Sequence, residues 1–502
     1  MDTSRPQSPI PAVRETRARE AFARLGRLLE RLVYRSAPPI KRSAIAARRE
    51  RLARRRARGV ALVMVLGAIT VLTVFLTELQ EETSASLAAA IAERDALKAE
   101  YYARSAVNLS RLLIASEPKI RGPLTPILAI MGQGAPKQLP VWEFVDQVLG
   151  PFNDETGAAA FGSFAGIDMA SGKNLGLAGG GRFVVTIVDE DSKTNVNMAA
   201  DSVPGSSNVL ANQLLSYFNR PDVAPLFENR DADDQFSPAA DRCGAIIDWA
   251  DSSTASAETL ATCDLSTSAP TSTAAEDNIY QTLGLDYVRK NAAFDSLEEL
   301  RLVRGVDDAF WTNFVDPSPD DPKKRNMTVW GKRQINLLTA PPVVTLGVIC
   351  ANVDFNATDL CTNPEQAAAF VGGLGMVKAL LGFTPISSVK QLTQALKGEG
   401  MAGMVLAQMG LKPVTGLKEG PLKQQVKFES KVFSIYAEGV VPGYKKEMRL
   451  RLHAVVDFSG AQGLTSQQSG AAEPSSADAA TQAAIDSLAT DPLGTIIYWR
   501  LE

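Results

Sequence analysis

Four cysteines, a set of carboxylates and one histidine are the residues of this 502-residue chain that could carry chemistry. The cysteines fall into two local pairs, Cys243 with Cys263 and Cys350 with Cys361. In an oxidising compartment such spacings suit two short-loop disulfides, each contributing about 2–4 kcal/mol. A zinc site is the rival reading, weakened because the chain has no CxxC pair and its only histidine is His453. Asp248, Asp251, Glu276 and Asp277 bracket Cys263, and clustered carboxylate oxygens are the donors that calcium takes. Their spacing is not that of an EF-hand. Asp189, Glu190 and Asp191 form a competing acidic cluster.

Catalysis finds little support in the same residues. His453 sits in LRLHAVV between apolar neighbours, the setting of a structural histidine and not of a general base. There is no Gly-x-Ser-x-Gly and no His-Glu-x-x-His. Gly179-Gly180-Gly181 has no strand before it and no Gly-Lys-Ser/Thr after it, so it reads as a loop and not as a phosphate cradle. Glu298-Glu299 read as solvated charges on a helical turn. The chain is not expected to be an enzyme.

The elements that must position these residues begin with Arg51 to Leu79, RLARRRARG followed by VALVMVLGAITVLTVFLTEL. The basic run ends at Gly59, and no charge follows before Glu78. Twenty helical residues span roughly 30 Å, the hydrocarbon thickness of a bilayer. Residues 1–59 hold 17 Lys/Arg and 5 Asp/Glu out of totals of 52 and 56, leaving 35 basic and 51 acidic residues beyond them. A leader of net +12 before a body of net −16 places the N-terminus in the cytoplasm by the positive-inside rule. The acidic body argues against nucleic acid as a partner, since phosphate needs the opposite field.

The apolar run passes into an amphipathic stretch without Pro or Gly across residues 68–116, and Pro118 is expected to stop it. Leu97, Tyr101, Leu109, Leu112 and Leu113 form a stripe at helical spacing that would pack on a soluble domain. Further along, Val141–Leu149 reads as a short helix and Phe183–Val188 as a buried strand. Val426–Glu438 and Lys446–Phe458 alternate as antiparallel strands around a turn at Pro442-Gly443, and Thr495–Leu501 as a last strand.

Basic residues, then Gly59, then a long apolar helix resemble the N-terminus of type IV pilins and pseudopilins. The resemblance implies that a prepilin peptidase cuts after Gly59 and methylates Val60, so the span survives as a detachable stalk. Family members typically carry Glu at the fifth mature position, where this chain has Met64. A carboxylate in lipid is costly unless paired with a neighbouring subunit's amino group. A subunit lacking it suits the tip of a filament. The leader is also longer than is common in the family.

Further motifs narrow the resemblance to the minor pseudopilin K family of the type II secretion system. DEDSKTNVN at Asp189–Asn197 is similar to its acidic turn, and CGAIIDWAD at Cys243–Asp251 to its "IDWID" segment. AEDNIY at Ala275–Tyr280, FDSLEELRLVRGV at Phe294–Val306 and QINLLTA at Gln334–Ala340 follow in the family's order. The last has Leu338 in place of an Asn. The resemblance implies calcium binding, with Asp248, Asp251, Glu276 and Asp277 as ligands, although Ser252-Ser253 stands where the family often has acids. It implies partners as well: other minor pseudopilins, an inner-membrane assembly platform, the prepilin peptidase and the secreted proteins.

The expected fold class is α+β, with a long transmembrane and amphipathic N-terminal helix packed on an antiparallel sheet and a large inserted α-helical domain. Its parts are a cleaved cytoplasmic leader (1–59), the membrane span (60–79), and the amphipathic helix with the first part of the α/β domain (80–199). The insert (200–415) and the C-terminal strands (416–502), with a low-complexity loop at 459–491, complete it. Helix-hairpin-helix-like units in the insert, at Phe294–Val306, Ile335–Ile349 and Ile386–Leu396, read as structural packing and not as DNA binding. The expected location is the bacterial inner membrane, single-pass, with the bulk in the periplasm. A membrane-anchored binding or enzyme domain and a type IV pilus minor pilin are the alternatives.

Overall fold

In the computed structural model, Ala44–Ile130 form a single helix, α1, of 87 residues. The structure describes residues 44–130, 137–153, 180–251 except 202, 204, 219, 221–222 and 232–235, then 260–264, 269–274, 280, 287–461 except 355–356, 382, 385 and 444–445, and 492–502. Two compact units divide the chain, Met1–Ala88 and Ala89–Glu502.

The described part of the first unit is helical throughout, and every side chain from residue 60 to 79 is exposed. Val60–Gly122 is, among the described residues, the stretch long and apolar enough to cross a membrane. Its threonines suit an apolar surround. Thr70, Thr73 and Thr77 donate their hydroxyls to the carbonyls of Gly67, Ile69 and Val74 at 2.9, 2.7 and 2.8 Å, so each hydroxyl is paired within the helix.

In the second unit, α1 presents a face of small residues. Ala99, Tyr102, Ala103, Ala106, Val107, Leu113 and Ile114 are buried. The expected stripe is therefore corrected: Leu97, Tyr101 and Leu112 are exposed, and of the five residues only Leu113 is fully buried. Close backbone approach selects alanine at positions 99, 103 and 106, and the large Leu97, Tyr101 and Leu112 side chains stay outside. Pro118 does not stop the helix either. Glu117 is buried, accepts a hydrogen bond from the Leu139 amide at 2.7 Å and pairs with Arg121 at 3.4 Å, and these ties hold the turn that proline would loosen.

The described strands are β1 (Arg182–Asp189), β2 (Thr194–Asn195), β3 (Leu260–Asp264), β4 (Ala269–Ala274), β5 (Met327–Thr328), β6 (Ile335–Asn336), β7 (Val426–Lys427), β8 (Val432–Val441), β9 (Met448–Asp457) and β10 (Thr495–Leu501). The main sheet has the order β1-β8-β9-β10, antiparallel throughout. The expected run Val426–Glu438 is broken by residues 428–431, so β7 pairs with β6 away from the main sheet. Phe183, Val185 and Ile187 of β1, Phe433 and Ile435 of β8 and Ala454 and Val456 of β9 form one core with α1 and the buried Trp142. Trp142 meets Phe433 edge-on at 4.7 Å. The outer edge of β1 is closed by Asn153, whose amide donates to the Phe183 carbonyl at 2.8 Å and accepts its N–H at 2.9 Å.

A second core, running from Val196 to Phe428, fills the helical insert between β1 and β8. Phe218 meets Phe310 and Phe314 edge-on within it, and Phe310 lies tilted against Phe314, with ring centroids 4.9–5.3 Å apart. The segment Leu297–Leu302 is a 3-10 helix that buries Leu297 and Leu300. Gly305, at φ 78°, turns the chain into the short helix Asp308–Phe310, which Asp307 caps. Pro342 opens the helix Pro342–Cys350, and Ser388 caps Val389–Leu396 through the Gln391 amide. Two disulfides stand in the insert: Cys243 bonds Cys263, and Cys350 bonds Cys361. The fold is thus α+β, with a long helix on an antiparallel sheet and a helical insert.

Candidate functional site

The chain leaves the sheet at Asp189 and returns to it at Val432, and the acidic turn Asp189–Ser192 stands where those crossings meet. Asp189 Oδ2 accepts the Ser430 hydroxyl at 2.5 Å, the Thr339 hydroxyl, and the Asn336 amide at 3.4 Å. Asn336 also donates to Ser430 Oγ at 2.7 Å. Asp191 Oδ1 accepts the Lys332 amide at 2.9 Å. Its Oδ2 accepts the Lys431 and Val432 amides at 2.7 and 3.2 Å and pairs with Lys427 Nζ at 2.7 Å. Glu190 accepts the Thr328 hydroxyl at 2.5 Å, and Lys193 donates to the Pro322 carbonyl at 2.9 Å.

Sequence position explains the convergence. Two short parallel pairings, β2 with β5 and β6 with β7, carry segments of the insert back beside β1. Asn195 donates to the Gly331 carbonyl, and Asn197 clasps Phe294 and Val329 through hydrogen bonds of 2.7–3.0 Å. Gly331 is required here: a Cβ on it would lie 2.6 Å from the Glu190 carbonyl oxygen. DEDSKTNVN, FDSLEELRLVRGV and QINLLTA therefore meet at one junction. Thr339 spends its hydroxyl on Asp189, while Pro341 occupies the cap position of the helix that follows.

Electrostatics at the junction are set by burial. Asp189, Asp191 and Lys193 are all nearly inaccessible. Burial, and after it the adjacent Asp191, push the Asp189 carboxyl up to about 7, against the Ser430 and Thr339 hydrogen bonds and the Lys427 charge. Burial likewise lowers Lys193, with Glu190 opposing. Behind the same sheet, His453 stacks on Tyr436 at 4.2 Å, and burial takes its imidazole down to about 4. It is a neutral packing group at neutral pH.

The remaining expected site residues are dispersed. Gly59, Val60 and Met64 lie within α1, with Val60 and Met64 exposed. Asp248 is buried in the helix Ala239–Ala250, and its carbonyl accepts from Arg289 at 3.3 Å. Asp251 is that helix's C-cap. Glu276 and Asp277 lie outside the described residues, as do Gly179, most of the leader and residues 462–491 of the expected loop. Among the described residues, no group of three or more His, Cys, Asp or Glu side chains is arranged to hold a metal ion. The competing cluster Asp189, Glu190 and Asp191 is a hydrogen-bonded junction instead. Residue reading did not find Ser430, Lys427 or Lys332, because amides and lysines that serve a carboxylate across more than a hundred residues leave no local signal.

No protein-family model matches this sequence, and no curated protein matches it. Among solved structures, a chain of the GspK–GspI–GspJ complex of the type 2 secretion system from enterotoxigenic Escherichia coli overlays on 65% of this chain and 81% of its own length. The sequence identity is 13% and the TM-score 0.34.

Proposed function

We propose that this chain is a minor pseudopilin of a type II protein secretion system, resembling component K and seated at the tip of a periplasmic pseudopilus. One observation carries the reading. A single helix joins a fully exposed apolar run of twenty residues, starting after a basic stretch, to an alanine face packed on an antiparallel sheet. An enzyme's anchor has no need of that continuity; a subunit drawn out of the bilayer into a filament does. Met64 supports the tip position, since an apolar residue there forgoes the carboxylate that pairs with a neighbouring subunit. The bulky insert would then prevent further subunits from adding above it.

The reading brings with it other minor pseudopilins and the assembly platform as partners, prepilin peptidase as the processing enzyme, and folded exoproteins as cargo. It places the N-terminus in the cytoplasm and the bulk in the periplasm. Intact mass of the membrane-extracted protein tests it. The expected N-terminus is a methylated Val60; a chain that still carries residues upstream of Gly59 would refute the proposal. Calcium belongs to the same reading, with Asp248, Asp251, Glu276 and Asp277 as its oxygen donors. The detergent-extracted chain is then expected to melt at a lower temperature in EGTA, and an unchanged melting temperature removes calcium from it.

A further inference from the structure

Asp189 differs from the other buried acids of the junction in one respect. Its Oδ2 collects every hydrogen bond, from Ser430, Thr339 and Asn336, while Oδ1 is buried with no partner among the described residues. The three donors come from two segments: Asn336 and Thr339 lead into the helix Pro342–Cys350, and Ser430 lies on the return to β8. This contact set ties the insert to the end of β1 alongside the contacts of Asp191. Two carboxylates one residue apart share the site, and only Asp191 has a cation in direct contact, Lys427.

We propose that this junction is a proton-controlled latch, in which protonation of Asp189 closes both chain crossings of the helical insert onto the sheet and ionisation loosens them. With the proton on Oδ1, Oδ2 remains the acceptor for the two hydroxyls and the amide, and no charge opposes Asp191. Ionised, Asp189 sets a second negative charge beside Asp191 in a site closed to water.

Charges face the latch from every element around it. The turn after β1 supplies Glu190, Asp191 and Lys193, and β7 supplies Lys427. The helix Pro364–Leu381 adds Lys378, whereas Lys332 and Lys431 reach Asp191 through their backbone amides and the exposed Glu429 acts on Glu117. These cations are largely engaged. Lys427 serves Asp191, Lys332 Nζ serves Asp457 at 3.0 Å, and Lys378 donates to the Thr339 and Ala340 carbonyls.

An opened junction returns Asp189 to water and to its ordinary carboxylate range near 3.8, against about 7 when closed. The closed form therefore binds more protons between those values, and closure weakens as pH rises through the window. Hydrogen–deuterium exchange of the full chain in detergent tests this, with rates corrected for intrinsic exchange. Peptides covering residues 332–340 and 428–434 are expected to lose about tenfold or more in protection between pH 5 and pH 8, while β9 peptides stay constant. Asp189→Asn should make the junction peptides insensitive to pH. Asp191→Asn, which removes the repulsion, should move the midpoint to lower pH. PH-independent protection in the wild type overturns the latch, as does an unchanged midpoint in Asp191→Asn. If Asp189→Asn does not fold, the wild-type profile and Asp191→Asn decide the matter.

Discussion

Asp191→Ala is expected to cost about 3–5 kcal/mol of stability, the range for removing one partner of a buried ion pair. The carboxylate is inaccessible and serves four donors: the Lys332, Lys431 and Val432 amides and Lys427 Nζ. Truncation leaves an ammonium and three N–H groups in a site that water does not reach, and unsatisfied buried donors are penalised beyond the lost bonds. Chemical denaturation of the extracted chain measures the loss. The double variant Asp191→Ala with Lys427→Met should recover part of it, because the stranded charge goes as well. No recovery would place the cost in the amides alone. Asp191→Asn should be milder, since its side-chain oxygen can still accept from an amide.

The second large effect is expected at Gly439, where α1 lies on β8. A Cβ there would come 1.8 Å from the Ala99 carbonyl oxygen and 3.0 Å from the Ala103 nitrogen. Both obstacles are helix backbone and cannot swing aside, so Gly439→Val must move the helix or the strand. Overpacking of this kind costs about 3 kcal/mol or more. Gly181 provides the comparison. Its Cβ would meet the Tyr102 ring at 2.2 Å, an obstacle that can rotate after giving up the bond between the Gly181 amide and the tyrosine hydroxyl. Thermal melting should therefore rank Gly439→Val well below Gly181→Ala. Equal melting temperatures would mean that the helix does not depend on this close approach.

Gly439 and the Asp189–Asp191 junction are different contacts of the same sheet. Gly439 sets how closely α1 approaches one face, and the junction at Asp189 and Asp191 sets how the insert is held at the end of β1. His453 adds an opposite pH term. Its depressed imidazole binds fewer protons folded than unfolded between about 4 and 6.5, so its contribution to stability rises with pH over that interval. Asp189 runs the other way across an overlapping window. Asp189→Asn should therefore turn the overall stability profile upward with pH.

Local rules were enough to read several elements from the chain itself. Hydrophobic length marked the apolar stretch of α1, because a run from Val60 to Thr77 without a charge is long enough at helical pitch to cross most of a bilayer. Alternation marked β8, β9 and β10, and Pro442-Gly443 their turn, because side-chain direction in a strand repeats every two residues. Contacts between distant segments were not legible in this way. Periodicity on α1 pointed to Leu97, Tyr101 and Leu112 as the packed face, yet the sheet took Ala99, Ala103 and Ala106, since Gly439 permits an approach only alanine can fill. Asp189 to Asp191 could be seen as an acidic run and not as a junction, because their donors stand as far as 241 residues away. Charge type and spacing are written in the chain; burial, which turns three carboxylates from candidate ion ligands into the point that holds two layers together, comes only with the tertiary fold.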